Sequence, residues 1–179
     1  MKKILKLAFI LFLVSAIVAA VLGGVYVMTK PNIDAYATQK TIEAYSAVTA
    51  GAAVDPSQTE EVVGNENGIT KITPCDDGNT YVVELTVTGS QGAITLAVGV
   101  DKDAAVCTGI SIISSSETSG LGAEASKDYF KDQFPGMDAD NVHITKDGGQ
   151  INAITGATIT SRAVTNAASA AIDYVANMG

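Results

Sequence analysis

Asn152-Ala153-Ile154-Thr155-Gly156-Ala157-Thr158-Ile159-Thr160-Ser161 crowds four hydroxyl side chains around one Gly-Ala step, just ahead of an amphipathic run. A helix starting here presents unpaired N–H groups and about half a positive charge, which attracts an anion. A phosphate or phosphodiester gains several hydrogen bonds at such a place, and Gly156 and Ala157 let a large planar ligand approach the backbone. A threonine hydroxyl does not attack phosphorus unaided, so its esterification needs a separate transferase. The same residues also suit an ordinary helix cap after a glycine turn.

A second stretch with chemical interest is Glu117-Thr118-Ser119-Gly120-Leu121-Gly122. A loop so poor in side chains can lie flat against an aromatic ring system, with Leu121 as an apolar contact and Thr118 as a donor. Its glycines can equally do no more than allow positive φ. Ser111, Ser114, Ser115 and Ser116 read as a strand end, because no His/Asp pair stands ready to activate them. Asp76, Asp77, Asp101 and Asp103 lack the spacing of a calcium loop and read as turn residues. His143 is the sole histidine and no Cys/His cluster accompanies it, which argues against a metal centre. Cys75 and Cys107 permit a disulfide in an oxidising compartment, but their spacing does not establish one.

The elements that position these stretches follow from residue pattern. Thr80–Thr88 and Ala93–Val100 are dense in β-branched residues, and Gly89-Ser90-Gln91-Gly92 between them reads as a hairpin turn. Another strand is expected from Val106 to Ile113, giving an antiparallel meander. A helix is expected from about Ala123 to Phe134, stopped by Pro135-Gly136. Short strands are expected near Val142–Thr145 and Gln150–Ile154. A last helix is expected from about Ser161 to Ala176, with Val164, Ala167, Ala171 and Val175 on one face. The fold class is α+β.

The N-terminal third has another character. Leu7 to Met28 is an uncharged run of 22 residues. As a helix it covers about 33 Å, enough for a hydrocarbon core of about 30 Å. It outruns the apolar core of a secretory signal, so an uncleaved single-pass anchor is expected. Lys2, Lys3 and Lys6 precede the run and only Lys30 follows closely, which places the N-terminus in the cytoplasm and the remainder outside. All 19 acidic residues lie after Pro31, against seven basic ones, a net −12. That field disfavours nucleic acid and anionic headgroups as partners. Pro31-Asn32 is expected to end the membrane run and begin a stalk helix over Asp34–Ala50. Gly51–Asn67 reads as a loop, with a short strand near Val62-Val63. The expected division is 1–30 as anchor, 31–67 as stalk helix and linker, and 68–179 as one domain.

Taken together, the two glycine-containing stretches carry a resemblance. Thr155-Gly156-Ala157-Thr158-Ile159-Thr160-Ser161 resembles the flavinylation motif S/T-G-A-T-x-T/S of FMN-binding domains in membrane redox complexes. These include the G subunit of Rnf-type ferredoxin:NAD⁺ oxidoreductases and the C subunit of the sodium-pumping NADH:quinone oxidoreductase. Glu117–Gly122 matches that family's E-T-P-G-L-G at five of six positions. The single anchor, Gly92–Val100 and Ser161–Ala167 also resemble the G subunit, so the resemblance covers nearly the whole chain. It departs at Asn152, where Asp is usual, at Ser119, where Pro is usual, and at the serine before Glu117, where His is common.

The resemblance implies an electron-transfer flavoprotein subunit of an ion-translocating membrane complex, with no complete active site on this chain alone. It implies FMN attached to Thr158 by a phosphoester, with Thr155, Gly156, Ala157 and Thr160 around the phosphate. Glu117, Thr118, Gly120 and Leu121 would flank the isoalloxazine ring. A flavin transferase and the other membrane subunits of the complex are the implied partners, and the cytoplasmic membrane is the implied location. The alternatives are a non-redox exterior binding module, the related C subunit, and a surface-filament subunit. The membrane run lacks the acidic residue near its start that such filaments use.

Overall fold

The computed structural model describes residues 2–62 and 67–178. The chain divides into two compact units, one ending at Lys40 and the other beginning at Thr41. Helix α1 (Lys2–Val48) runs through 47 residues. In the first unit its apolar side chains, from Ile4 to Met28, are exposed, as a lipid-facing helix requires. Among the described residues it is the one helix long and apolar enough to cross a membrane.

The expected break at Pro31 does not occur, and Pro31 lies inside α1. One absent N–H leaves one carbonyl unpaired, while Asn32 to Val48 contains neither Gly nor Pro and continues as helix. Lys30 pairs with Asp34 one turn later at 3.0 Å. The stop comes instead where Ala50 and Gly51 take positive φ.

In the second unit a five-stranded antiparallel sheet runs in chain order: β1 (Glu60–Glu61), β2 (Ile69–Pro74), β3 (Thr80–Thr88), β4 (Ala93–Asp101) and β5 (Val106–Ser115). The meander was expected for β3 to β5. The pairing that sets its faces puts Val83 opposite Val98 and Leu85 opposite Leu96. Strand β2 went unforeseen, since Ile69-Thr70-Lys71-Ile72-Thr73-Pro74 mixes a lysine and a proline into the pattern. The strand expected at Val62-Val63 is β1, slightly earlier, and Val63 lies outside the described residues.

Both faces of the sheet are covered. On one, helix α3 (Thr158–Ala176) buries Val164, Ala167, Ala168, Ala171, Ile172 and Val175 against Val83, Leu85, Leu96 and Val98. Full burial of a Val or Ile side chain is worth about 1.5–3 kcal/mol, so this face holds α3 in place. On the other, Ala44, Tyr45 and Val48 from the end of α1 pack on Val82 and Ala97. Burial on both faces explains why β4 reads as a continuous apolar run rather than an alternating one. Gly99 is required here: a Cβ would run into the Val48 carbonyl, to which Thr108 Oγ1 donates. Cys75 and Cys107 are both free and belong to different cores on opposite faces. Burial pushes the Cys107 thiol up to about 12.

The helix expected over residues 123–134 is instead a 3₁₀ turn, Gly122–Ser126, and a short helix α2 (Asp128–Lys131). Lys127 between them is extended, with ψ 149°, and the break lets Phe130 and Phe134 both enter the core in an edge-to-face pair 5.3 Å apart. The two short strands expected near 142–154 shrink to a single parallel bridge, Ile144 to Ile151, around a 3₁₀ turn, Thr145–Asp147.

Candidate functional site

Helix α3 starts at Thr158, three residues before the expected Ser161. Ser161 is not a cap, because its hydroxyl is buried, donating to the Ala157 carbonyl and accepting from the Ile154 N–H at 2.9 Å each. The N-cap position falls to Ala157, and no side chain caps the helix. A capping hydroxyl or carboxylate is normally worth about 1 kcal/mol, so a 19-residue helix has been left with an open, electropositive end. The residue at that end is Thr158.

Two clefts meet at this point. The first, of about 320 Å³, lies between the turn Ser90-Gln91, the loop residues Thr118, Leu121 and Gly122, and the stretch Gly156–Ile159. The second, of about 340 Å³, is lined by Thr145, Lys146, Asn152 to Gly156 and Thr158. Gly156 and Thr158 border both, so the Thr158 side chain stands on the shared wall. Gly156 sits at φ +79°, and a Cβ there would lie 3.1 Å from Leu121 Cδ2, so the loop and the motif touch where a side chain has been left out. Leu121 and Ile159 are partly open to solvent at the first cleft.

The two clefts differ in charge. Among the described residues no charged side chain lines the first, whereas the second has Lys146. The turn bearing Lys146 is tied to α3 by Arg162, whose Nε and Nη2 donate to Asp147 at 2.6 and 3.0 Å. That pairing holds the Asp147 carboxyl below the usual carboxylate range. Asn152, ahead of the motif, donates from its backbone N and its Nδ2 to Gln133 Oε1 at 2.8 and 3.1 Å.

A neutral, glycine-floored cleft of this volume beside an open helix end and a free hydroxyl fits a planar aromatic group linked to a phosphate. The model of the FMN-binding domain family matches residues 89–173, which begin at the β3–β4 turn and end within α3. The G subunit of an ion-translocating oxidoreductase complex from Methanosarcina acetivorans is 35% identical, covering 97% of this chain and 95% of that relative. The chain belongs to this G-subunit family. Relatives in the family include the G subunit of a proton-translocating ferredoxin:NAD(+) oxidoreductase complex from Clostridium ljungdahlii, 36% identical over 87% of this chain and 82% of its own length. Another is the G subunit of the Na(+)-translocating ferredoxin:NAD(+) oxidoreductase complex of Acetobacterium woodii, 35% identical over 99% and 94%. Since two relatives at the same distance are named for different ions, likeness assigns no ion to this family member.

In this member of the family, Gly156, Ala157, Thr158, Thr118 and Leu121 do converge on the first cleft, and Thr155 lines the second. Glu117, Gly120 and Thr160 border neither. Gly120 makes a turn at φ +76° with open space around it. Thr160 is fully buried, and its Oγ1 donates to Glu117 Oε2 at 2.7 Å. Sequence reading missed Ser90, Gln91, Ile159 and Lys146. The hairpin turn had a signal for turning but none for a wall; only the β3–β4–β5 register brings it beside Thr118. His143 lies apart from both clefts and meets Asn166 at 3.2 Å.

Proposed function

We propose that this chain is an electron-carrying flavoprotein subunit of an Rnf-type ion-translocating ferredoxin:NAD⁺ oxidoreductase complex, with FMN esterified to Thr158. The observation that carries the reading is the Thr158 hydroxyl at the uncapped start of α3, between a neutral cleft and one bearing Lys146. Backbone N–H groups of the first turn of α3 would hold the phosphate, helped by Thr155. Thr118, Leu121 and the Ser90-Gln91 turn would hold the ring. The cofactor would supply one-electron chemistry, while the protein supplies its position and electrostatics.

Attachment needs a transferase and a flavin donor activated as a phosphoanhydride. In such a transfer Thr158 Oγ1 would exchange its proton, taken up by a base of the transferase, for a bond to phosphorus, and the other phosphate of the anhydride would leave with its nucleoside. Among the described residues, neither cleft is lined by a carboxylate or an imidazole that would serve as a general base for Thr158. Family membership and the long apolar α1 support a single-pass membrane protein. Three lysines just ahead of the apolar run, against Lys30 alone just behind it, support an N-terminus in the cytoplasm and a flavin domain outside the cell membrane. Residues 1–30 serve as anchor, 31–67 as stalk and linker, and 68–179 as flavin domain, with Ala44 to Val48 seated on that domain's sheet. A covalent link then keeps an extracytoplasmic cofactor from being lost, and the anchor holds it near its partner subunits.

Mass spectrometry of the tryptic peptide that follows Lys146, from natively purified membranes, tests this. Thr158 should carry one FMN less a water. A bare peptide, with flavin absent from the rest of the chain, overturns the reading.

A further inference from the structure

We propose that Glu117 is a positioning residue, whose carboxylate ties together the three segments that wall the first cleft. The proposal rests on the reading of that cleft as the flavin's seat. Glu117 lies just past β5, where its Oε1 accepts from the Gln91 N–H at 2.9 Å and its Oε2 accepts from Thr160 Oγ1 at 2.7 Å. One side chain therefore joins the β3–β4 turn, its own loop and the first turn of α3. Successive N–H groups in such a turn form a concave anion site, and here the anion is part of the protein.

Two glycines make room for it. A Cβ on Gly89 would run into the Glu117 carboxylate, and one on Gly122 would meet both that carboxylate and Thr160 Oγ1, the latter at 2.7 Å. Burial of the Glu117 carboxylate raises its pKa. The Gln91 N–H, the Thr160 hydroxyl and the N–H groups of Ser90 and Gly92 outweigh that and hold it below the usual carboxylate range. It is thus charged at neutral pH.

The charge also answers a deficit in α3. Its first turn contains no acidic residue and its N-cap is Ala157, so nothing local offsets the positive end of the helix. Glu117 reaches that turn from 43 residues away through the Thr160 hydroxyl, bringing a negative charge near the helix start without taking up its backbone N–H groups. Thr160 is two residues beyond Thr158, about 200° around the helix axis. The carboxylate accordingly sits on the inner side and leaves the Thr158 side open. Because neither Glu117 nor Thr160 borders either of these two clefts, both act through neighbours rather than on the ring.

The test uses the full chain in detergent, produced with and without the transferase. In the unlabelled chain, amide hydrogen exchange is followed in peptides containing Ser90–Gly92 and Thr158–Ser161. Glu117→Ala should speed exchange in both by about tenfold, the loss of roughly one charge-assisted hydrogen bond at each. Glu117→Gln should do less, because its amide oxygen still accepts from Gln91. Thr160→Val keeps the buried shape and should speed both peptides, with no further effect when added to Glu117→Ala. In the labelled chain, iodide should quench the flavin fluorescence of Glu117→Ala several-fold more readily than that of the parent. Unchanged exchange at Ser90–Gly92, additive effects in the double variant, or parental quenching each overturn the proposal. A parent chain that acquires no flavin overturns the functional reading instead, and the exchange experiment then decides the clamp alone. Should Glu117→Ala fail to fold, Glu117→Gln and Thr160→Val decide it.

Discussion

Thr160 Oγ1 donates to Glu117 Oε2 at 2.7 Å, joining the two sequence motifs of the chain through a buried hydroxyl and a half-buried carboxylate. Each motif presents other residues to solvent: Leu121 from the first, Thr158 and Ile159 from the second. The motifs therefore have a double construction, an inner pair that fastens them together and an outer set that borders the cleft. The identities of Gly89 and Gly122 follow from the inner pair, because both give space to its carboxylate.

Thr158→Ala should leave no flavin on the chain, read as loss of the fluorescent band after denaturing electrophoresis and as a bare peptide mass. The fold should be unharmed. Thr158 opens α3, and alanine is the better helix former by up to about 0.7 kcal/mol, so the melting temperature should stay level or rise slightly. Retention of the band would move the attachment to another oxygen, with Thr155 the first to examine.

Gly156→Ala should be costly for two separable reasons. At φ +79° an alanine loses about 1–2 kcal/mol, and its Cβ presses on Leu121 Cδ2 at 3.1 Å. A fall in melting temperature of about 8 °C is expected for roughly 2 kcal/mol in a body of this size. Adding Leu121→Ala should recover only the contact, not the backbone strain. Full recovery would show that the φ carries no cost.

What the sequence made legible was whatever depends on neighbours along the chain. The β-branched runs of β3 to β5, the apolar run of α1 and the helical face of Val164 to Val175 all declare themselves locally. The two glycine motifs did so through resemblance. The rest depends on distant partners. Ser161 looks like a cap until Ile154 and Ala157 are seen to bind its hydroxyl. The run after Gly122 reads as one helix until two phenylalanines have to enter the same core. Glu117 and Thr160 were assigned to the ligand because spacing alone cannot show that they satisfy each other. Pro31 shows the opposite failure, a strong local signal overridden by the helix formers that follow it.

Asn152→Asp should trade stability for recognition. Gln133 Oε1 accepts from both Asn152 N and Nδ2, and an aspartate oxygen would face that acceptor. Gln133 must then turn its amide, giving up the bond from the backbone N–H, at a cost of about 1 kcal/mol in thermal or urea unfolding. Aspartate is what the resembled flavinylation pattern would have at this position, so on the proposed function labelling by a transferase from a relative should be faster. A slower rate would mean that Asn152 is matched to its own transferase.

Gly99→Ala tests the other face of the sheet. The new Cβ would enter the space of the Val48 carbonyl and displace the end of α1 from β4, at about 1–3 kcal/mol for overpacking. Thr108→Val keeps the packing but leaves that carbonyl without its donor, and should cost about 1 kcal/mol. Flavin attachment should be unaffected in both, because Val48 and the clefts lie on opposite faces of the sheet. A drop in labelling for Thr108→Val would show that the two faces are coupled.

Acid titration should reveal the Asp147–Arg162 pair. Asp147 is held below its ordinary pKa by the Arg162 hydrogen bonds, while Arg162 stays charged throughout. A carboxylate depressed in the folded state binds its proton less readily than in the unfolded chain, where its pKa is about 3.9. The stability it contributes is thus present in full above that value and lost as pH falls through the lower folded one. Asp147→Asn should melt lower than the parent at pH 7, and the gap should close on acidification below about pH 4. Asp77 and Asp138 are also depressed, so the variant should retain some acid sensitivity of its own. Molar salt should shrink the gap at pH 7, because both partners are solvent-exposed enough to be screened. A gap that persists unchanged at pH 2 would mean that Asp147 supports the Thr145–Asp147 turn through its shape rather than its charge.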